Sequence, residues 1–394
     1  MRIVLGVAGG IAAYKACELA SRLTKDGHDV SVLMTRTATE FVSPLTFRAL
    51  TGRAVAVTIG EEPFGPLSHV HLAHWADALV IAPATADLLA RLAAGRADDM
   101  LSAVYLGFQG PRLIAPAMEP EMWAHPRTQA NVAVLRQDGV RFIGPTAGRM
   151  ASGHYGVGRL AEPEAIQDAL VDLLTPKDLA GLRMLVTAGS TWEYFDPVRV
   201  ITNPATGLMG KLLAGQAVRR GAEVAVVAGP GVTPLTERTG LVWDTVVSAE
   251  EMLTRALVRL PGMHVVVGTA AVSDFRPAKR AEQKVHKAAV GLSWPVEPNP
   301  DVIRTLAEQA DPGTLMIGFA AETDNIIESA QRKRLDKKLD AVVANRVGLG
   351  VGFGTGAHEA WLVTADGVEP MPGHHKEETA TALLNWVARH RPPA

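Results

Sequence analysis

The chain has 394 residues, a formal net charge of −2, 47% hydrophobic residues and 20% charged residues. That length predicts two domains or three, with ample apolar content for a large core and no global field drawing the protein toward nucleic acid or a membrane. One cysteine, Cys17, excludes an intrachain disulfide and a multi-cysteine zinc site.

The opening "MRIVLGVAGG" reads as a strand entering a glycine turn, without the charged region, long apolar core and cleavage site of a signal peptide. No apolar run is long enough to span a bilayer, so the expectation is a cytoplasmic protein. "IAAYKACELASRLTKDG" follows as a helix with a Gly27 stop, and "DVSVLMT" as a second strand. "SPLTFRALTG" predicts a helix capped by Ser43 with Pro44 at its first position. "ALVIAPA", "PRLIAPAM" and "VRFIG" are further strands, separated by helices at "DLLARLAAG" and "TQANVAVLRQDG". "AGRMASGHYGVGRL" has four glycines and no periodicity, and reads as a loop. "EPEAIQDALVDLL" closes the half as a helix, with a linker at Thr175 to Asp178.

The pattern restarts at "RMLVTAG". A helix at "TGLMGKLLAGQAVRRG" and strands at "AEVAVVAG", "GLVWDTVV", "HVVVGTAA", "LMIGFAAET", "DAVVAN" and "EAWLVTAD" follow, with further helices between several of them. Residues 275 to 298 read as a loop or β-arm, and "HHKEETATALLNWVARH" as a terminal helix. Nearly continuous apolar strands alternating with helices predict α/β architecture: two doubly wound domains, over residues 1–175 and 180–394, each with a covered parallel sheet.

Chemistry concentrates at the carboxyl ends of the strands, where ligands bind in open α/β sheets. "GVAGGIAAYK" is not the GxGxxG dinucleotide fingerprint, which argues against a nicotinamide dehydrogenase. It still places small residues at a strand-to-helix turn suited to a phosphate. Met34-Thr35, Ala82 to Thr85 and Ala115 to Met118 end other strands in small residues. Together they form either a flat slot for a ring cofactor or ordinary tight packing. "LSHVHLAHWAD" carries His69, His71 and His74. His71 and His74 have helical spacing for a metal pair, but no carboxylate or cysteine stands beside them at ligand spacing.

These segments, in order, carry a resemblance. "VLGVAGGIAAYK", "HxxLAHWADALVIAPATADLLARLAAG", "APAM", "GHYGVGRL", "DPVRVITNPATGLMG", "GTAAVSDFRP" and "IGFAAET" resemble the bifunctional flavoprotein family of coenzyme A biosynthesis. In that family a phosphopantothenoylcysteine decarboxylase is fused to a phosphopantothenate–cysteine ligase, and the resemblance spans essentially the whole chain. It implies a flavodoxin-like first domain and a Rossmann-like ligase domain. The ligase would join L-cysteine to 4'-phosphopantothenate using CTP, through an acyl-cytidylate. The first domain would decarboxylate 4'-phosphopantothenoylcysteine to 4'-phosphopantetheine with FMN. The resemblance also implies trimers through the first domain and dimers through the second, and neither a nucleic-acid nor a membrane partner.

Carried over residue by residue, it places FMN against Gly9, Gly10, Ile11, Thr35, Ala84, Thr85, Ser102, Ala117 and Met118, with His69 catalytic. Glu119 stands where the family has a substrate-binding asparagine, and Ser152 where it has a cysteine acid. In the ligase, Asn203 would bind the acyl intermediate and Lys284 neutralise triphosphate charge. Gly189, Thr206, Gly207, Ala270, Asp274, Lys287, Asn299, Pro300, Asp301, Phe319, Lys333 and Lys337 would hold nucleotide and substrate, with Asp274 a candidate for Mg2+. Leu208 replaces a lysine, Trp192 an arginine, and His286 a lysine of the "KxKK" run. The five departures raise one alternative, a flavin-binding accessory protein with an impaired ligase or a decarboxylation that stops at the enethiol.

Overall fold

The computed structural model describes residues 1–60, 65, 67–286, 294–348, 359–372 and 375–391. It divides into two compact units, Met1–Thr175 and Pro176–Ala394.

The first unit runs β1 (Arg2–Val7), α1 (Ala13–Lys25), β2 (Asp29–Met34), α2 (Ala38–Phe41), α3 (Pro44–Thr51), α4 (Ser68–Trp75), β3 (Ala78–Ala84), α5 (Ala86–Ala93), α6 (Met100–Gly107), β4 (Arg112–Pro116), α7 (Pro120–Ala124), α8 (Pro126–Gln137), β5 (Arg141–Phe142), β6 (Thr146–Arg149), β7 (Tyr155–Arg159) and α9 (Pro163–Leu174). The strands pair in parallel in the order β2-β1-β3-β4-β5. Every residue of β3 is buried, as a strand covered on both faces requires. On one face Leu19, Leu23, Phe47, Ile166 and Leu170 bring α1, α3 and α9 onto the sheet. On the other, Leu72, Leu88, Leu101 and Leu135 bring α4, α5, α6 and α8.

Local chemistry fixes the ends of these elements. Ser43 accepts a hydrogen bond from the Leu45 amide with Pro44 at the first position of α3, and Gly52 ends that helix in the left-handed region at φ 71°. Asp99 and Ser102 form a reciprocal capping box on α6. The sequence gives no periodic signal for α6, because "MLSAVYLG" is apolar almost all round and Met100 to Tyr105 are all buried.

The expected glycine-rich loop is instead a hairpin, β6–β7, paired antiparallel. Its turn closes with the Met150 amide donating to His154 O at 2.7 Å. Two of its glycines hide the strand alternation because they answer to contacts outside the hairpin. A Cβ on Gly156 would lie 2.7 Å from Pro120, and one on Gly158 only 2.2 Å from the Met118 carbonyl oxygen.

The second unit runs β8 (Arg183–Ala188), β9 (Glu193–Asp196), β10 (Arg199–Ile201), α10 (Leu208–Arg219), β11 (Glu223–Ala228), β12 (Leu241–Thr245), α11 (Ala249–Arg259), β13 (Val265–Gly268), β14 (Phe275–Pro277), β15 (Val296–Pro298), α12 (Val302–Gln309), β16 (Leu315–Glu322), α13 (Ile326–Asp336), β17 (Ala341–Arg346), β18 (Ala360–Val363), β19 (Val368–Met371) and α14 (Lys376–His390). Its main sheet has the order β12-β11-β8-β13-β16-β17-β18-β19. It is parallel through β17 and antiparallel beyond it. The expected β-arm forms as β14 paired with β15. Leu213, Leu383 and Trp386 cover one face through α10 and α14, and Met252, Leu306 and Ala330 the other through α11, α12 and α13.

Phe47 is fully buried between α1 and the first sheet. Phe47→Ala is expected to cost about 3–5 kcal/mol of first-unit stability, read by thermal or urea denaturation. A loss under 1 kcal/mol would show that this packing is not specific.

Candidate functional site

In the first sheet the chain leaves β1 toward β2 and β3 toward β4, so their carboxyl ends open a crevice between them. A cavity of about 650 Å³ lies there. The turn after β1 contributes Gly9, Gly10 and Ile11, the turn after β3 contributes Thr85, and the turn after β4 contributes Ala117, Met118 and Glu119. Arg149, Gly158 and Arg159 of the hairpin close one side. The floor is bare backbone: at Gly10 an added Cβ would meet only Thr85 Cγ2, at 3.8 Å. The positive ends of α1 and α5 adjoin this floor. Lys15 and Arg159 add cationic groups, held at 2.8 and 3.0 Å by Glu162. The hydrogen bond from Lys15 keeps the Glu162 carboxyl below the usual range, although burial opposes it. A slot with a small-residue floor, helix ends and cations fits a flat ring bearing a phosphate.

Other expected residues do not line this cavity. The Thr35 amide donates to Val7 O, and its hydroxyl accepts from the Ala38 amide at 3.2 Å. Ala84 O accepts from the Ala117 amide at 3.0 Å. Ser102 is fully buried in the α6 cap, bonded to Asp99. His69 lies in the first turn of α4, beside Ser68, whose hydroxyl is 3.7 Å from the Met100 sulfur at the start of α6. The Nδ1 atom of His69 is buried with no hydrogen-bond partner among the described residues. His71 and His74 are exposed.

Two of the substituted positions meet each other. Ser152 Oγ donates to Glu119 Oε2 at 2.9 Å, and His154 Nδ1 lies 3.5 Å from the same oxygen. Glu119 is therefore engaged by the hairpin tip. Glu119, Glu121 and His154 form the single three-ligand cluster among the described residues, with the latter two exposed.

In the second unit a cavity of about 530 Å³ lies at the carboxyl ends of β8, β13 and β16. Thr206 and Gly207 line it at the start of α10, Ala270 and Asp274 after β13, and Asn299, Pro300 and Asp301 before α12. Phe319, Lys333 and Lys337 complete that wall. Gly207 is left-handed at φ 73°, and a Cβ there would lie 3.0 Å from the Gly189 amide nitrogen. Gly189 is itself left-handed, and a Cβ there would meet Val232 at 2.5 Å. Asn203 does not line the cavity; it fastens its own segment to the loop after β13 by donating through Nδ2 to Ala271 O at 3.0 Å and Val272 O at 3.2 Å. Asn299 Nδ2 donates to Ser273 O, while its buried Oδ1 has no partner among the described residues.

Charge in this cavity is paired and mixed. Asp301 caps α12 and holds Lys337 at 2.8 Å. Burial opposes its ionisation, but Lys337 and the Arg304 amide keep its carboxyl below the usual range. Lys333 donates to Phe319 O at 2.5 Å. Burial of its ammonium group, reinforced by Lys337, lowers its pKa to about 8. Asp274 is exposed, and its carbonyl accepts from the Asn299 amide at 2.9 Å. One carboxylate suits a magnesium ion whose shell is completed by phosphates. Lys284 is exposed on the segment 281–286, outside the lining of this cavity, and Lys287 lies outside the described residues. Lys15 and Arg159 in the first cavity, and Thr187, Asn345 and Lys376 in the second, escaped sequence reasoning. The position of Lys15 in the first turn of a helix after a glycine turn is the one signal that could have found it.

Comparison with known proteins agrees with this division. The model of the family "Flavoprotein" matches residues 1–175, and that of the "DNA/pantothenate metabolism flavoprotein C-terminal domain" matches 179–390. The coenzyme A biosynthesis bifunctional protein CoaBC of Haemophilus influenzae is 40% identical over 98% of this chain and 96% of its own length. The protein of that name from Mycobacterium tuberculosis is 41% identical over 95% of this chain and 92% of its own. A crystal structure of the C-terminal domain of such a protein, 34% identical, covers 54% of this chain and 97% of its own with a TM-score of 0.45.

The pKa of Lys333 gives a pH dependence with a definite sign. Below about pH 8 the Lys333 ammonium is charged, and above it that positive charge is lost from the cavity wall. The same shift makes stability of this unit rise with pH between about 8 and the ordinary lysine value, because there the unfolded chain binds the extra proton. Nucleotide affinity by calorimetry is expected to fall as pH rises through 8, and Lys333→Met to flatten that dependence. A dependence unchanged in the variant would assign it elsewhere.

Proposed function

Because the chain belongs to the family of coenzyme A biosynthesis bifunctional proteins, we propose that its two cavities house the two reactions of one enzyme, ligase in the second unit and decarboxylase in the first. The observation that carries this assignment is the pair of carboxyl-end cavities, each with a distinct chemistry: a flat small-residue slot in one, paired lysines and a carboxylate in the other. In the second unit, the carboxylate of 4'-phosphopantothenate attacks the α-phosphorus of CTP and pyrophosphate leaves. The cysteine amine then attacks the acyl carbon and CMP leaves. Thr206, Gly207 and the first amides of α10 receive phosphate. Asn203 orients the acyl group, Asp274 provides a carboxylate for Mg2+, and Lys284 neutralises charge on the triphosphate.

In the first unit, the cavity holds FMN, which supplies two-electron chemistry when bound. Gly10 and Ala117 leave room for its ring, Gly9 admits the close approach of Thr37 behind them, and Lys15 and Arg159 offset its phosphate charge. His69 moves the proton at the reacting end of 4'-phosphopantothenoylcysteine. Carbon dioxide leaves and the product is 4'-phosphopantetheine. Ser152 fixes one oxygen of Glu119 at the hairpin tip, while the carboxylate keeps its place in the cavity lining. Trimers through the first unit, dimers through the second and a cytoplasmic location belong to the same reading. Among the described residues no helix is long and apolar enough to cross a membrane.

Two variants separate the reactions. His69→Asn is expected to slow release of CO2 by about 10²–10⁴-fold with flavin still bound and CMP release unchanged. Lys284→Ala is expected to slow CMP release by about 10²–10³-fold with the decarboxylase unchanged. A yellow protein with no CMP or pyrophosphate release in any form would instead support the accessory reading.

A further inference from the structure

We infer that Asp196 is a positioning residue for the ligase: its carboxylate fastens the basic segment 281–286, and with it Lys284, to the β9–β10 hairpin. The inference rests on the reading of Lys284 given above.

Asp196 has no exposed side-chain surface and is not among the residues that line the cavity. Its two oxygens divide the task. Oδ1 accepts from the amides of Val198 at 2.8 Å and Arg199 at 2.9 Å, which builds the tight turn between β9 and β10. Oδ2 reaches across 89 residues of sequence to accept from the Val285 amide at 3.2 Å. Burial opposes ionisation of Asp196, but the three backbone N–H groups outweigh it and keep the carboxyl below its usual range.

The rest of the contact is arranged around that bond. Arg199 Nη2 donates to Val285 O at 2.9 Å, so Val285 is held through both its amide and its carbonyl. The Arg199 Nη1 atom lies 3.7 Å from Asp196 Oδ2. Further back, the Ala281 amide donates to Phe195 O at 2.8 Å. The Arg280 guanidinium sits 5.2 Å over the Tyr194 ring. Lys284 immediately precedes the doubly held residue, so its backbone position is set although its side chain is exposed. The hairpin also leads directly into Asn203, which ties the chain to Ala271 and Val272 beside the cavity. One hairpin thus carries both the acyl-orienting asparagine and the anchor of the basic segment. A free basic loop would spend most of its time away from any phosphate, and the anchor removes that entropy cost before nucleotide arrives.

The division between the two oxygens supplies the test. Asp196→Asn keeps an oxygen on the turn but turns an NH2 toward the Val285 amide and Arg199, where two donors now face each other. The hairpin is kept and the segment released. In the full-length protein, trypsin is expected to cut after Lys284 about ten- to a hundredfold faster. The kcat for CMP release is expected to fall by a similar factor, with KM for cysteine, the melting temperature and decarboxylation unchanged. Val285→Pro, which removes the donor and leaves Asp196 intact, is expected to lower kcat by the same factor and is read by kcat alone, because trypsin does not cut a Lys–Pro bond, while Asp196→Glu restores part of the kcat. Wild-type kcat in Asp196→Asn alongside an inactive Lys284→Ala overturns the inference but spares the role of Lys284. An active Lys284→Ala overturns that role and the inference with it. In Asp196→Asn, cleavage spread evenly through the second unit, or a loss of kcat without faster cleavage after Lys284, shows a structural role only and also overturns the inference.

Discussion

Both units depend on backbone meeting backbone at the carboxyl ends of a parallel sheet, closer than any side chain allows. In the first, the Gly158 position and the Met118 carbonyl leave only 2.2 Å for a Cβ, while the Met118 amide bonds Gly158 O. In the second, a Cβ on Gly229 would lie 1.8 Å from Ser190 O, and the Gly207 and Gly189 turns abut. These approaches bring the strand-end turns close to helix N-termini, which is the arrangement that receives phosphate in open α/β sheets. The remaining structure holds those turns still: covered strands, capped helices and two apolar layers on each sheet.

The same scaffold is given different chemistry by its charges. The first cavity sets small residues and cations around a flat space, and its acidic neighbours, Glu162 and Glu119, are spent on internal partners. The second sets lysines beside carboxylates, with Lys333 buried enough to lose half its charge near pH 8. A cavity that mixes signs suits a polyphosphate accompanied by a divalent ion. One that spends its carboxylates internally suits a single phosphate and an uncharged ring.

Much of the architecture was legible in the sequence because apolar runs and glycine stops report burial and turns directly. The doubly wound class and the Ser43 cap follow from such signals, whereas residues 275 to 298 carry little apolar periodicity and leave a loop and a β-arm equally open. The hairpin β6–β7 was not legible, since Gly156 and Gly158 are selected by contact with Pro120 and Met118 rather than by strand pairing. Helix α6 was hidden because a helix buried all round has no amphipathic period. At the sites, strand-end turns such as Gly9-Gly10 and Thr206-Gly207 announced themselves. The pairing of Ser152 with Glu119 did not, because 33 residues separate two positions whose relation exists only in the folded hairpin. Asp196 carries no signal of its own in the sequence, where it only opens "DPVRVITNPATGLMG". Its hold on Val285 is a tertiary fact that no local spacing encodes.

The central claim is that this one chain carries out both reactions in sequence. The most direct measurement is mass spectrometry of all products after the purified yellow protein is incubated with 4'-phosphopantothenate, L-cysteine, CTP and Mg2+. The account predicts CMP, pyrophosphate and 4'-phosphopantetheine in equal amounts. Accumulation of 4'-phosphopantothenoylcysteine, a product two mass units lighter than phosphopantetheine, or no consumption of CTP would contradict it.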